Sequence, residues 1–332
     1  MKRENNLISA IAEPDNLRLA FWKARKSKDG KIEVANFRKC LDKNLLTLHK
    51  DILSGDVELG QYHYFTIYDP KERQICAATF RERVLHHAFM NVCHANFEKY
   101  QIFDSYASRL GKGTYAAIER AASFQKKYTW FLKLDIRKYF DSIDHAILKQ
   151  LLAKRFKDKV LLHIFSQLID SYQTNKGKGL PIGNLSSQYF ANHYLALADH
   201  YIKEKLQAPA YVRYMDDMVI WSNDKNSLLK IGKDFQFFIE SKLFLILKPF
   251  CLNASAKGLP FLGYQLKPKT VLLNNSSRKR YIAKLKQYTY KLNTAEWTQT
   301  EYQAHVLPLI AFAKHANTFN LRTKHNEMLQ IG

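Results

Sequence analysis

Two aspartates stand at the tip of a segment that otherwise reads as paired strands. Tyr211-Val212-Arg213-Tyr214 and Met218-Val219-Ile220-Trp221 are β-formers, and Met215-Asp216-Asp217 joins them with no Gly or Asn to make a tight turn. An isolated Asp-Asp reads most simply as a hairpin tip with two solvated carboxylates. Beside apolar strands, however, two like charges repel and lose hydration, so both stay ionised cheaply only with a cation between them. Mg2+ takes oxygen ligands, commonly one or two carboxylates with waters and substrate phosphates. A third carboxylate at a neighbouring strand end completes a two-ion site, and Asp135, closing the strand-like run Tyr128 to Asp135, is the best candidate. Two Mg2+ ions, with Mn2+ as the alternative, can activate an attacking hydroxyl and stabilise a leaving pyrophosphate. The carboxylates alone leave nucleotide polymerisation and hydrolysis equally open.

The elements that must position them follow from pattern. Leu41, Leu45, Leu48 and Leu53 recur at near-helical spacing, and the β-rich text from Tyr62 to Phe80 breaks at Asp69-Pro70-Lys71-Glu72, the signature of a hairpin. A helix is expected from Arg83 to Tyr100. Another should be capped by Ser142 or Asp144 and carry Ile147, Leu148, Leu151, Leu152 and Phe156, and a third should run from about Ser187 to Leu206. Helices alternating with strands around a tight hairpin give an α+β fold, an antiparallel sheet covered by helices in the manner of a split βαβ unit.

Charge points to the partner. The 332 residues hold 52 Lys and Arg against 30 Asp and Glu, a net +22 that draws polyanions. From Lys267 onward the text turns helical and carries 11 Lys and Arg against 3 Glu. There Arg278, Lys279, Arg280 and Lys284 can follow a phosphate backbone, with Tyr281, Tyr288 and Tyr290 available to pack on sugars or bases. No apolar run approaches the roughly 18 residues of a spanning helix, and Met1 to Asn6 has no apolar stretch behind it, so a cytoplasmic protein without a membrane partner is expected. Cys40, Cys76, Cys93 and Cys251 form no Cys-x-x-Cys pair and read as buried, reduced thiols; His63, His86 and His87 read as packing or surface residues, without zinc.

Asp135-Ile136-Arg137-Lys138-Tyr139-Phe140 followed by Tyr214-Met215-Asp216-Asp217 resembles the two metal-binding motifs of reverse transcriptases, and Ile182 to Gln188 and Phe261-Leu262-Gly263-Tyr264 lie in that family's order. The resemblance implies a right-hand polymerase: an N-terminal helical extension over 1–60, fingers over 61–127, a palm over 128–265 with a fingers-associated segment at about 155–185, and a basic helical thumb over 266–332. It implies that Asp135, Asp216 and Asp217 are catalytic and hold the ions. Deoxynucleoside triphosphate contacts are implied for Lys71, Arg73, Arg83, Ile136, Ile182, Gly183, Gln188 and Lys248, and for Phe140 as a gate against the 2′-hydroxyl. Phe244 stands where relatives of Lys248's segment often carry Gly. Nucleic-acid contacts are implied for Tyr214, Phe261, Leu262 and Gly263 together with the thumb cations.

Most reverse transcriptases read Gln-Gly-x-x-x-Ser-Pro where this chain has Ile182-Gly183-x-x-x-Ser187-Gln188. That version is similar to the enzymes of diversity-generating retroelements, as are Asp104-Ser105-Tyr106-Ala107 and Gly111-Lys112-Gly113-Thr114. The likeness implies cDNA synthesis that errs at template adenines, from a template-repeat RNA, for mutagenic retrohoming in a bacterial or phage-infected cell. Its implied partners are that RNA, the RNA/cDNA hybrid and a small basic accessory protein. A retron-like or phage-defence enzyme and a non-catalytic RNA-binding module are the alternatives.

Overall fold

Side-chain caps and apolar stripes divide the chain much as its text predicts, with the elements drawn from distant stretches. The computed structural model describes residues 5–68 and 72–323. They fall into two units, each built from three separate stretches.

The first unit comprises Met1–Phe103, Ile136–Lys205 and Asp234–Lys248. It opens with helices Leu7–Ala12, Pro14–Arg25, Ile32–Lys39 and Leu41–Ser54. The last buries Leu45, Leu48 and Ile52, so Leu53, 44% exposed, lies off the face assigned to it. Strands β1 (Tyr62–Ile67) and β2 (Arg73–Ala78) then pair antiparallel, Tyr62 opposite Ala78 and Ile67 opposite Arg73, as the hairpin reading requires. Thr79 accepts from the Glu82 N–H and starts the Phe80–Glu98 helix three residues before the expected Arg83. Asp144, not Ser142, caps the His145–Ala153 helix; Ser142 is spent on the carbonyls of Arg137 and Lys138. Helices Lys159–Asp170 and Leu185–His200 follow, the latter running into a π turn at Tyr201–Lys205. Phe165 sits against Phe89, Phe156 and Phe190 at centroid distances of 5.7, 5.6 and 5.1 Å, the aromatic centre of this unit.

The second unit comprises Asp104–Asp135, Leu206–Lys233 and Pro249–Gly332. Its sheet takes the order β4-β5-β3-β6, all antiparallel, from β3 (Trp130–Asp135), β4 (Ala210–Tyr214), β5 (Asp217–Ser222) and β6 (Cys251–Ala254). Phe131 lies opposite Trp221, Lys133 opposite Val219 and Asp135 opposite Asp217. Directly opposed residues share a face, so one face runs in three pleats from aromatic core to paired carboxylates. Ala117, Ile118 and Ala121 of the Thr114–Lys127 helix pack in the same core as Phe131 and Trp221. On the opposite face a Cβ at Gly232 would come within 2.9 Å of Leu132, so the Lys225–Leu243 helix needs glycine there to approach the sheet.

A second sheet, β7 (Leu259–Phe261), β8 (Tyr264–Lys267) and β9 (Thr270–Leu273), corrects the expectation that the text turns helical at Lys267. The basic helix begins only at Asn275, capped by Asn274, and a Gln299–Lys314 helix follows it. Cys40 and Cys251 are exposed rather than buried, while Cys76 and Cys93 are buried as expected. Among the described residues no helix is long and apolar enough to cross a membrane.

Candidate active site

Asp135 ends β3 and Asp217 begins β5, and the two are register partners. Tyr214 pairs with Asp217 across β4 and β5, leaving Met215 and Asp216 as a two-residue turn. Met215 takes φ 52°, a left-handed conformation usually given to glycine. Arg213, fully buried, donates from Nη1 to the Met215 carbonyl at 3.2 Å and so braces this strained turn from within. Thr114 donates to the Tyr214 hydroxyl at 3.1 Å, which ties the Gly111-Lys112-Gly113-Thr114 motif to the same hairpin.

Lys133 is the residue that motif reading overlooks. It precedes Asp135 by one pleat, so its ammonium reaches diagonally to Asp217, 3.1 Å from Oδ1 and donating to Oδ2 at 3.2 Å. The same Nζ donates to the Pro260 carbonyl at 2.8 Å. Strand alternation alone places Lys133 beside Asp135; its partners lie far along the chain, and no local signal names them. Burial pushes the Asp217 carboxyl up to about 6; Lys133 works against that shift, and the charges of Asp216 and Asp135 add to it.

Among the described residues no three His, Cys, Asp or Glu side chains converge as a ready-made metal site. Mg2+ does not require three protein ligands, since it commonly binds one or two carboxylates and takes its other ligands from water and phosphate. Oδ1 of Asp217 is buried and, apart from the Lys133 ammonium 3.1 Å away, has no hydrogen-bond donor, so it keeps acceptor capacity for a cation. Hard oxygen donors, like charges in register and a buried acceptor all fit such an ion.

The positions assigned to nucleotide contact lie in the first unit, apart from Lys71, which is outside the described residues. Arg73 is exposed at the start of β2. Arg83 faces Glu33 at 3.6 Å and is largely withdrawn from solvent, a structural partner that the family reading did not foresee. Ile136 is buried and bridges Leu247, one residue before exposed Lys248. Phe244 takes φ 51°, so this chain keeps a glycine-like backbone there without glycine. Phe140 is half-buried and meets Tyr139 edge-on at 5.7 Å, while Tyr139 itself is core.

The segment from Ile182 to Gln188 is clamped at three points. The Cys76 N–H donates to the Ile182 carbonyl at 2.8 Å, the Ala78 N–H to Asn184 Oδ1 at 3.2 Å, and Ser186 Oγ lies 2.6 Å from His86 Nδ1. His86 Nε2 lies 3.2 Å from Glu82 Oε1, and Glu82 Oε2 accepts the Gly60 N–H at 3.0 Å. Ile182 and Gln188 keep partial exposure beside these anchors. Gly183, at φ 124°, passes so close to β2 that a Cβ would sit 2.9 Å from the Ile75 side chain and 3.2 Å from the Cys76 carbonyl. Gly183→Ala is therefore expected to cost about 2 kcal/mol, read as a lower midpoint in urea unfolding with an unchanged slope.

In the second unit Phe261 is buried, and Leu262-Gly263, at φ 48° and 90°, form the two-residue turn between β7 and β8. Arg278 and Lys279 are exposed near the start of the basic helix, with Arg280 and Lys284 partly exposed. Tyr281 is only 2% exposed, which corrects its assignment to stacking on nucleic acid; Tyr288 packs against Trp297 and His305, and Tyr290 alone of the three is exposed. Three tyrosines within ten residues cannot share one helix face, and the core takes the first.

A family model described as reverse transcriptase (RNA-dependent DNA polymerase) matches residues 69–266. The COX1/OXI3 intron 1 protein of Saccharomyces cerevisiae is 25% identical over 255 residues, covering 69% of this chain and 30% of that protein. The intron 2 protein of the same gene is 23% identical over 218 residues, covering 61% and 25%. The chain thus spans less than a third of the length of these curated relatives. A solved telomerase from Candida tropicalis, in complex with a fragment of telomeric RNA, shares the fold at a TM-score of 0.50 and 14% identity, over 80% of this chain and 55% of that one. The architecture is the right-hand fold of mixed helices and antiparallel sheet. Because the match covers more than half of the chain and includes Asp135, Asp216 and Asp217, the chain belongs to the reverse transcriptase (RNA-dependent DNA polymerase) family.

Proposed function

We propose that this chain synthesises DNA on an RNA template from deoxynucleoside triphosphates, with Asp135, Asp216 and Asp217 as the metal-holding carboxylates. The observation that carries this reading is the registered pairing of Asp135 with Asp217, with Asp216 on the braced turn between β4 and β5. Mg2+ bound there would lower the cost of forming a primer 3′-oxyanion and of releasing pyrophosphate. The protein's own part is orientation and charge: Arg213 holds the turn, Lys133 offsets one carboxylate, and the Asp217 backbone is fixed on both sides by β3 and β4. Arg73 and Lys248 are exposed cations suited to triphosphate oxygens, and Phe140 is suited to close the ribose 2′ position. Arg278, Lys279, Arg280 and Lys284 supply positive charge for the template–primer backbone.

At finer grain we propose an enzyme of a diversity-generating retroelement, error-prone at template adenines, acting with a template-repeat RNA and a small basic accessory protein. Ile182 and Gln188 support it. Where Ile182 replaces the usual Gln, the nascent pair loses a polar neighbour and depends more on shape and stacking, which weakens discrimination. The deciding experiment is primer extension with Mg2+ on a defined RNA, followed by sequencing of the cDNA. Wild type should extend with errors concentrated opposite adenine, Asp216→Ala should not extend, and Ile182→Gln should lower the adenine error frequency several-fold. Equal extension by Asp216→Ala would remove the catalytic assignment; an unchanged error spectrum in Ile182→Gln would remove the role given to Ile182.

A further inference from the structure

Lys133 holds two things at once. Its ammonium lies within 3.1–3.2 Å of both Asp217 oxygens and donates at 2.8 Å to the carbonyl of Pro260, in the strand that leads into the Phe261-Leu262-Gly263 turn. The Nζ is also 6.0 Å from the centre of the Phe261 ring. Lys133 comes from β3, its carboxylate partner from β5 and its carbonyl partner from β7, so one side chain fastens three strands drawn from two sheets. Only about a quarter of the Lys133 and Asp217 side chains is exposed, which makes their contact less screened than a surface pair.

We propose that Lys133 is a positioning residue with two separable effects on the reaction: its charge sets how tightly the carboxylates bind a divalent ion, and its bond to Pro260 sets the placement of the β7–β8 turn for the primer. The proposal rests on the metal-dependent polymerase reading above. The charge effect follows from Coulomb's law: a fixed cation in contact with one ligand competes with any ion that ligand receives. Removing it takes the ammonium away from Asp217 and strengthens ion binding by about tenfold or more, the lower figure applying where the effective dielectric is near that of water. The tether effect is independent of charge, because any donor of the right reach can satisfy the carbonyl.

Two neutral replacements separate the effects. Lys133→Gln removes the charge but keeps an amide donor for Pro260; Lys133→Met removes both. Mn2+ binding to the protein without substrate, followed by electron paramagnetic resonance of the free ion, should tighten about tenfold or more in both variants. The KM for primer–template should rise several-fold in Lys133→Met alone, and Lys133→Arg should resemble wild type in both measurements. Mn2+ affinity unchanged or weakened in Lys133→Gln overturns the charge effect, and equal KM values for the Gln and Met variants overturn the tether. Should Lys133→Met fail to melt cooperatively, Lys133→Gln still decides the first, and Lys133→Leu, which likewise carries no donor for Pro260, decides the second. Asp217→Asn, which should lose the Mn2+ site, keeps the two readings apart: if it binds Mn2+ as wild type does, the metal assignment fails rather than the role of Lys133.

Discussion

Asp217→Asn is expected to lose about 10^3-fold or more of primer extension and yet to melt above wild type. The loss follows from removing a carboxylate that offsets developing charge, worth several kcal/mol of barrier. The gain follows from the cost of keeping Asp217 ionised. Its carboxyl is raised to about 6 from an ordinary 3.8, first by burial. A raised folded-state pKa favours the folded protein while the group is protonated, so that stability is fully present below pH 3.8 and is lost as pH rises through 6. About two pH units correspond to about 3 kcal/mol, and solvent reaching a quarter of the side chain brings this to about 1–2 kcal/mol. An asparagine carries no such penalty, and Lys133 retains its bond to Pro260. In EDTA at pH 8 the variant should therefore melt about 3–6 °C above wild type, with the gap closing by pH 4. Equal melting at pH 8, or a gap independent of pH, would show that the carboxylate is not held at a cost.

The same opposition separates the candidate carboxylates, which stand out in the text, from the residues that support them, which do not. Asp135 and Asp217 stand out because they sit at the ends of strands of Val, Ile, Leu and Trp, where an ionised carboxylate loses hydration, and Asp216 because it shares with Asp217 a turn that has no Gly or Asn. The strands are legible for the same reason, since their alternation and β-branched content are local properties. Lys133 carries no such signal: a lone lysine on a strand reads as a solvated edge, and its carbonyl partner lies 127 residues away. The left-handed turn at Met215 was invisible because nothing in a methionine declares a positive φ; Arg213 makes that conformation affordable through a bond inside a buried strand. Short elements failed differently. β8 and β9 have four residues each, joined across Pro268-Lys269, and the surrounding lysines made the stretch look like the start of the basic helix. Tyr281 shows the limit of reading residue type without phase: its neighbours are exposed cations, while helical geometry turns the ring into the core.

His86 extends the same point to the Ile182–Gln188 segment. Two adjacent histidines suggest nothing specific, yet His86 is 2% exposed and stands between Ser186 and Glu82, both as deeply buried. With the proton on Nε2, the ring donates to Glu82 and accepts from Ser186, and Glu82 takes its second bond from the Gly60 backbone. Every member is satisfied, which is what allows a polar chain in an apolar interior. His86→Ala should break it at the centre, leaving Glu82 with one donor and Ser186 with none from the ring, and opening a cavity the size of an imidazole. The expected cost is about 3 kcal/mol, a fall of about 6–12 °C in melting temperature. Ser186→Ala, which removes one hydroxyl and leaves the His86–Glu82 contact, should cost about 1 kcal/mol. Because Ser186 stands in the first turn of the Leu185–His200 helix, the weakened anchor loosens the whole Ile182–Gln188 segment rather than altering one side chain against the base. Errors in the cDNA of His86→Ala should therefore rise opposite all four template bases, in contrast to the adenine-selective change expected of Ile182→Gln. An adenine-selective rise in His86→Ala would instead mean that the backbone placement of Ile182, and not its side chain, decides which base is misread.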